Sequence, residues 1–295
     1  MTDLPTEALP EAFFLEAETG QRFCLFHRAH GNATKGRLLY LHPFAEEMNA
    51  SRRVVAQQCR ALAASGYSVL QIDLLGCGDS SGDFADATWQ HWLDDARLGV
   101  DWLEHNTDQQ KPLWLWGLRA GALLACETAR HLADHRPELS VNLLLWQPVA
   151  SGQQQLQQFL RLHAAAQWLG RHVAGEPPAQ ALAAGRHAHV AGYSLSPTMA
   201  AALQKASPHL PAGQGRIVLI ELHAPALHAN APVPTLSPGA ERQRGNWQIA
   251  GWRVHALTVG AAPFWQNVVE SDLPAELDRA TRHALSNGNS DSNPP

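Results

Sequence analysis

The stretch Leu113-Trp-Leu-Trp-Gly-Leu-Arg-Ala-Gly121 leaves a chain few folds to choose from. An apolar run of strand length ends in Gly117-x-Arg119-x-Gly121, and Ala122-Leu-Leu-Ala-Cys-Glu-Thr-Ala continues at once as a helix former. Glycines two residues to either side of Arg119 permit a sharp strand-to-helix turn. Such a turn exposes its middle residue at the start of the helix, where backbone N–H groups point outward.

Short apolar runs and helical repeats alternate around this turn. Thr19-Gly20 reads as a hairpin between strands at 11–17 and 21–28. Arg37-Leu-Leu-Tyr-Leu-His42 is a strand that stops at Pro43. Val54, Val55, Cys59, Leu62 and Ala63 share one side of a helix over 50–65, which Gly66 ends. The strand 67–73 opens into the Gly-rich loop Leu74–Gly82. A helix over 88–105, a strand over 113–116, a helix over 120–134 and a strand over 141–146 follow. This alternation implies parallel βαβ units with right-handed crossovers, an α/β class with a mostly parallel central sheet flanked by helices.

The pattern changes after Pro148. A helix over 153–169 precedes a segment, 175–215, rich in Ala, Pro, Gly and His with a short helix at 197–206. Strands return at 216–221 and 253–259, and a last helix is expected at 274–284. The organisation read from this is a core of residues 1–150 and 213–284. Residues 151–212 form a helical cap inserted before the last two strands, and 285–295 a disordered polar tail.

The chain is long enough to bury a sizeable core, with 295 residues of which 45% are hydrophobic. Its net charge of −5, with no basic block, argues against nucleic acid as a partner. No apolar run approaches the roughly 18 residues of a membrane span, so no membrane insertion is expected. The start, Met1-Thr-Asp-Leu-Pro-Thr-Glu7, lacks the basic and apolar regions of a signal peptide. Cys24, Cys59, Cys77 and Cys126 are scattered, as suits reduced thiols in a cytoplasmic protein. Sixteen histidines raise the question of a metal, but none forms a His-x-x-x-His pair beside a glutamate as in a zinc protease, and a plain surface role suits His187 and His189, two apart, better than chelation. Neither a metal nor a cofactor is expected.

Three motifs now stand in a recognisable order: the turn His42-Pro43-Phe44, the loop Asp73-Leu-Leu-Gly-Cys-Gly-Asp-Ser-Ser-Gly82, and the elbow Gly117–Gly121. Together they resemble the α/β-hydrolase superfamily. The longer strings His42-Pro-Phe-Ala-Glu-Glu-Met-Asn49, Gln71–Asp83 and Leu115-Trp-Gly-Leu-Arg-Ala-Gly121 resemble the second family of hydrolase-like proteins associated with the exosortase A system, over about residues 10–280. That resemblance implies a bacterial setting of exopolysaccharide synthesis and protein sorting, and a possible protein partner there. It does not imply a reaction, since fold does not fix function.

The residues themselves speak against ordinary hydrolase chemistry. A serine hydrolase needs a nucleophile at the elbow, a histidine base and an acid that orients the base. Arg119 stands in the nucleophile position, and its guanidinium stays protonated and cannot attack a carbonyl. The segment after the last strand, Gly260-Ala-Ala-Pro-Phe-Trp-Gln-Asn267, has no histidine. His255 falls within the strand. Glu221 could stand in the acid position, yet with no base to orient it reads better as a capping or paired carboxylate. Cys77 and Ser80–Ser81 read as turn residues, and Cys126 as core.

A cation at a helix start is opposed by the macrodipole, by roughly 0.3–1 kcal/mol near the surface. Glu46 or Glu47, directly after the neighbouring strand, could offset it as an ion-pair partner. Alternatively Arg119 and helix N–H groups could hold a carboxylate or phosphate. Ligand contacts are then expected at His42, Phe44, Leu118, Ala120, Cys77 and Arg119, with Glu46 and Glu47 as acid–base groups should catalysis persist. Tyr193, Phe264 and Trp265 could add aromatic walls, while the other tryptophans pack the core. Gln153, Gln154, Gln155, Gln157 and Gln158 read as the polar face of a cap helix, with Leu156, Phe159, Leu160 and Leu162 inward. Three function classes remain open: a non-hydrolytic binder of an anionic ligand or partner, a divergent hydrolase or acyl transferase on an acyl or glycan-linked substrate, and a structural assembly protein.

Overall fold

A computed structural model of the chain describes residues 9–31, 34–168, 176–224, 234–266 and 271–286. An eight-stranded sheet runs through the molecule in the order β1-β2-β4-β3-β5-β6-β9-β10. Its strands are β1 (Glu11–Glu16), β2 (Gln21–His27), β3 (Gly36–Leu41), β4 (Tyr67–Ile72), β5 (Leu113–Leu118), β6 (Val141–Trp146), β9 (Arg216–His223) and β10 (Arg253–Gly260). Strands β1 and β2 pair antiparallel, and β2 pairs antiparallel with β4. From β4 to β10 every pairing is parallel, as the alternating sequence pattern requires.

The central strands read as unbroken apolar runs because both faces of the sheet are covered. Leu39, Leu113, Leu115, Leu143 and Leu145 face a core shared with α2 (Trp89–Asn106) and α3 (Ala120–His135). Leu38, Tyr40, Trp114, Trp116, Leu144 and Trp146 face the opposite core, with α1 (Glu46–Ala64) and α8 (Ala275–Ser286). Trp116 sits between Tyr40 and Trp146, each ring centroid 4.7 Å away, which accounts for its size in a packed sheet.

Several elements were not expected or extend past their expected limits. Helix α1 begins at Glu46, four residues before the apolar repeat starts. The segment between β6 and β9 is not purely helical. It carries α4 (Gly152–Trp168), α5 (Pro178–Ala183), a hairpin of β7 (Ala188–Val190) and β8 (Tyr193–Leu195), and α6 (Pro197–Lys205). Each hairpin strand is three residues long, too short for a period to register, and Ala191 and Gly192 turn between them with positive φ. Helix α7 (Pro238–Ile249) buries only Trp247 and so has no apolar stripe, although Ser237 caps it by accepting from the Ala240 N–H. The last helix continues to Ser286 with Leu285 buried, so the expected tail starts later than residue 285. The rest of that tail lies outside the described residues, as do residues 1–8 of the expected core.

Gly121 shows how tightly the elbow is seated. A Cβ there would lie 2.2 Å from the Leu41 carbonyl oxygen and 2.7 Å from that of His42. Backbone oxygen cannot move aside as a side chain can. Gly121→Ala is therefore expected to lower the unfolding free energy by about 3 kcal/mol, the upper part of the overpacking range. Urea denaturation of the two proteins measures it.

Candidate functional site

Two strained turns build the site. Arg119 leaves β5 with φ 55° and ψ −118° and is the residue before α3. Ala45 does the same after β3, with φ 53° and ψ −124°, just before α1. The two strands are neighbours, Leu41 opposite Gly117, so the two helix starts lie side by side. Gly117 makes the Arg119 turn feasible, since a Cβ there would meet the Gly121 carbonyl oxygen at 2.4 Å. The Arg119 N–H is held by the Trp146 carbonyl at 3.0 Å.

Arg119 is only 7% exposed, and its guanidinium is engaged along one edge. Its Nε and Nη2 donate to Oε1 of Glu47 at 3.2 and 3.1 Å. Nη2 also donates to Oε1 of Gln158 on α4 at 2.6 Å. Gln155 Nε2 donates to the other Glu47 oxygen at 3.4 Å. The Trp265 ring, in the turn after β10, lies 5.4 Å from the guanidinium, within cation–π range. Of the two glutamates weighed as partners, Glu47 is the one that pairs. The guanidinium expected to hold an anion is thus already matched by a carboxylate.

Gln155 and Gln158 do not belong to the outward face of α4. Gln155 is 2% exposed, beside Gly152, Leu156 and Phe159 on the buried face, while Gln153, Gln154 and Gln157 face solvent. The three-residue spacing from Gly152 through Gln155 to Gln158 was the available signal, hidden by the run of identical residue type.

Glu46 differs from Glu47. It is half-buried, and its Oε2 is enclosed without a hydrogen-bond partner among the described residues. Burial, with the adjacent Glu47 charge, pushes its carboxyl up to about 7 despite Arg119. For Glu47 burial also outweighs the pull of Arg119, so its carboxyl sits above the ordinary value even in the ion pair. Glu46, Glu47, Gln155, Gln158 and Trp265 all line an open cleft of about 830 Å³ between α1 and α4.

The other expected contact residues lie behind this wall. Phe44 packs among Phe84, Trp92 and Phe159, and Leu118 and Ala120 are buried in the cores on either side of the sheet. Both His42 ring nitrogens are used: Nδ1 donates to the Pro43 carbonyl at 2.8 Å and Nε2 accepts from the Leu74 N–H at 3.3 Å. Burial drives its pKa down, so the ring is neutral. Burial, with Asp73 nearby, drives the Cys77 thiol upward, which removes the thiolate a nucleophile would need. Ser80 bonds to backbone, donating to the Asp73 carbonyl and accepting from the Phe23 N–H, and Ser81 Oγ accepts from the Gln21 N–H. Glu221 accepts the Ser237 N–H at 2.6 Å, a helix-start role, and His255 lies on the edge strand β10. His187 and His189 sit at the β7–β8 hairpin, and no cluster of three metal-ligating side chains occurs among the described residues.

The sequence profile of the serine aminopeptidase S33 family (Hydrolase_4) matches residues 32–203, more than half the chain. The chain belongs to this family. Among curated relatives of this S33-family member, an uncharacterised protein of Rickettsia prowazekii is 31% identical over 118 residues, 40% of this chain and 47% of that protein. Lysophosphatidylserine lipase ABHD12 of Danio rerio is 32% identical over 97 residues, 33% of this chain and 24% of that protein. The chain therefore spans about half and about a quarter of the lengths of these relatives. In structure it is similar to the ferulic acid complex of Est1E from Butyrivibrio proteoclasticus, with TM-score 0.63, 13% identity and coverage of 94% and 97% of the two chains. A soluble variant of monoglyceride lipase from Saccharomyces cerevisiae gives TM-score 0.62 at 14% identity, covering 96% of each chain. At such identities the likeness shows the α/β-hydrolase fold alone.

Within the S33 family's frame, two substitutions of the ion pair test its energetics. Glu47→Leu leaves a buried guanidinium unpaired, and the expected loss is about 3–5 kcal/mol. Arg119→Met combined with Glu47→Leu is expected to recover most of that loss. Guanidinium chloride unfolding of both variants measures the difference, and equal losses would contradict the pairing.

Glu46 sets a pH signature. Its folded-state pKa is raised, so the native state binds a proton that the unfolded chain releases. Stability is expected to fall as pH rises from the ordinary 4.5 to about 7, and Glu46→Gln should flatten that part of the profile. Thermal melts across this window measure it.

Proposed function

We propose that the protein is a non-hydrolytic member of its family and that the cleft between α1 and α4 holds a ligand or a protein partner. The observation that carries this reading is the Arg119–Glu47 pair at the position of the hydrolase nucleophile. Arginine cannot attack an acyl carbon at ordinary pH. A serine in its place would still lack a base, because the turn after β10 presents Trp265, whose indole only donates. An anionic ligand at the elbow would have to displace Glu47 from the guanidinium. The resemblance of the motif strings to the exosortase A system-associated hydrolases supports a place in the exosortase and exopolysaccharide system, in the cytoplasm.

A second reading has one observation in its favour: the Glu46 carboxyl titrates near neutrality at the cleft wall, as an acid–base group of a divergent hydrolase or acyl transferase would.

Hydrolysis of p-nitrophenyl butyrate, with labelling by a fluorophosphonate probe, tests both. Turnover by the wild type no greater than that of Arg119→Ala, with no labelling, is expected. Clear turnover lost in Arg119→Ala would overturn the non-hydrolytic reading. Turnover lost in Glu46→Gln while the fold survives would select the second.

A further inference from the structure

Acceptors outnumber donors among the polar atoms left over on the cleft-lining residues: one oxygen each on Glu46 and Gln155 against the indole N–H of Trp265. Arg119 is matched by Glu47 and Gln158, but Oε2 of Glu46 and Oε1 of Gln155 are both buried without a hydrogen-bond partner among the described residues. The Gln155 amide cannot be turned to relieve this. Its Nε2 faces a Glu47 carboxylate oxygen, and reversal would set oxygen against oxygen. Both residues line the same cleft. A buried acceptor without a donor is costly, so an occupant that brings N–H groups is favoured over one that brings more oxygen lone pairs.

Charge selects among donors. Around Glu46 stand Glu47, Arg52 and Arg53 of α1, Arg119 of the elbow, Tyr193 of β8 and Arg161 of α4. Arg119 is paired with Glu47, Arg52 with Asp73 and Arg53 with Asp272. Arg161 is exposed, where solvent and salt screen it. Once ionised, Glu46 is therefore a half-buried charge of the cleft wall without an ion-pair partner among the described residues. Phe159 and Leu162 on the same wall offer apolar surface for a stem.

We propose that this cleft takes a protonated primary amine carried on an apolar stem, its ammonium donating to Glu46 and Gln155. This rests on the reading of the cleft as a binding site, and it assigns the ligand the opposite charge from the one that Arg119 suggests in the bare sequence. An ammonium brings three donors and a positive charge, matching two acceptors and one carboxylate.

The test is calorimetric titration of the full chain with n-hexylamine, n-hexanol and hexanoate at pH 8. Hexylammonium is expected to bind at least about tenfold more tightly than either control, and Glu46→Gln to remove about tenfold of that affinity. Below the Glu46 pKa of about 7, wild-type affinity should drop about tenfold per pH unit, while Glu46→Gln stays flat. Gln155→Leu should weaken the amine without altering this pH dependence. Equal binding of hexanol, preferential binding of hexanoate, no detectable amine binding, or an amine affinity unchanged in Glu46→Gln would each overturn the proposal. Ester turnover in the same preparation would count against the non-hydrolytic reading alone, and an inert protein that ignores the amine against this inference alone.

Discussion

A guanidinium held at the start of a buried helix needs a carboxylate close by, and the surroundings of the elbow follow from that need. The helix start carries roughly half a positive charge of its own. Burying Arg119 there adds the loss of its hydration. Relief must come from a group close enough to bond and enclosed enough to escape screening. The neighbouring strand supplies it through a turn of almost the same backbone conformation, Ala45 and Arg119 differing by only a few degrees in φ and ψ. Non-glycine residues in such conformations cost of order 1–3 kcal/mol each. The sheet imposes both, because β5 must give way to α3 across Arg119 alone and β3 to α1 across four residues, while Gly121 passes against the Leu41 backbone.

A buried ion pair is by itself weak evidence of stability, since desolvation consumes most of the Coulombic gain. What the Arg119–Glu47 pair contributes is geometry. It ties the first turn of α1 to the residue that precedes α3, and the two ends then accept from or donate to α4 through Gln155 and Gln158. Trp265 closes the remaining side. Four separate stretches of chain meet on one charge, so each is fixed with respect to the others. The open side of that junction is the cleft.

Much of this was legible in the residues, and the reasons differ by element. The central strands announced themselves because both faces are buried, and the elbow because its glycines cannot be anything larger. The loss of the base was readable from Gly260–Gln266 alone. The choice of Glu47 over Glu46 was not, because it depends on helix α1 starting at Glu46, and that start is set by backbone strain at Ala45 rather than by any apolar repeat. The inward turn of Gln155 and Gln158 was masked by their neighbours being glutamines too. Helix α7 escaped notice because one buried tryptophan makes no periodic stripe, and Pro238-Gly239 reads as a turn when the cap at Ser237 is overlooked.

The cleft wall formed by α1 and α4 is placed apart from the positions that carry catalysis in this fold. Hydrolase chemistry in the fold hangs on the ends of strands, at the elbow and in the turn after the last strand. Here those two places hold Arg119 and Trp265, in contact with one another where a serine and a histidine would exchange a proton. The acceptors without partners among the described residues, on Glu46 and Gln155, come instead from the first turn of α1 and from α4, the helix that follows β6. Substitution at the strand ends therefore leaves the cleft wall formed by α1 and α4 in place. The cation at the nucleophile position also explains why Glu47, which lines the cleft beside Glu46, is held in an ion pair. One carboxylate was needed to neutralise the replacement. The preceding residue, Glu46, keeps a carboxylate oxygen without a hydrogen-bond partner among the described residues.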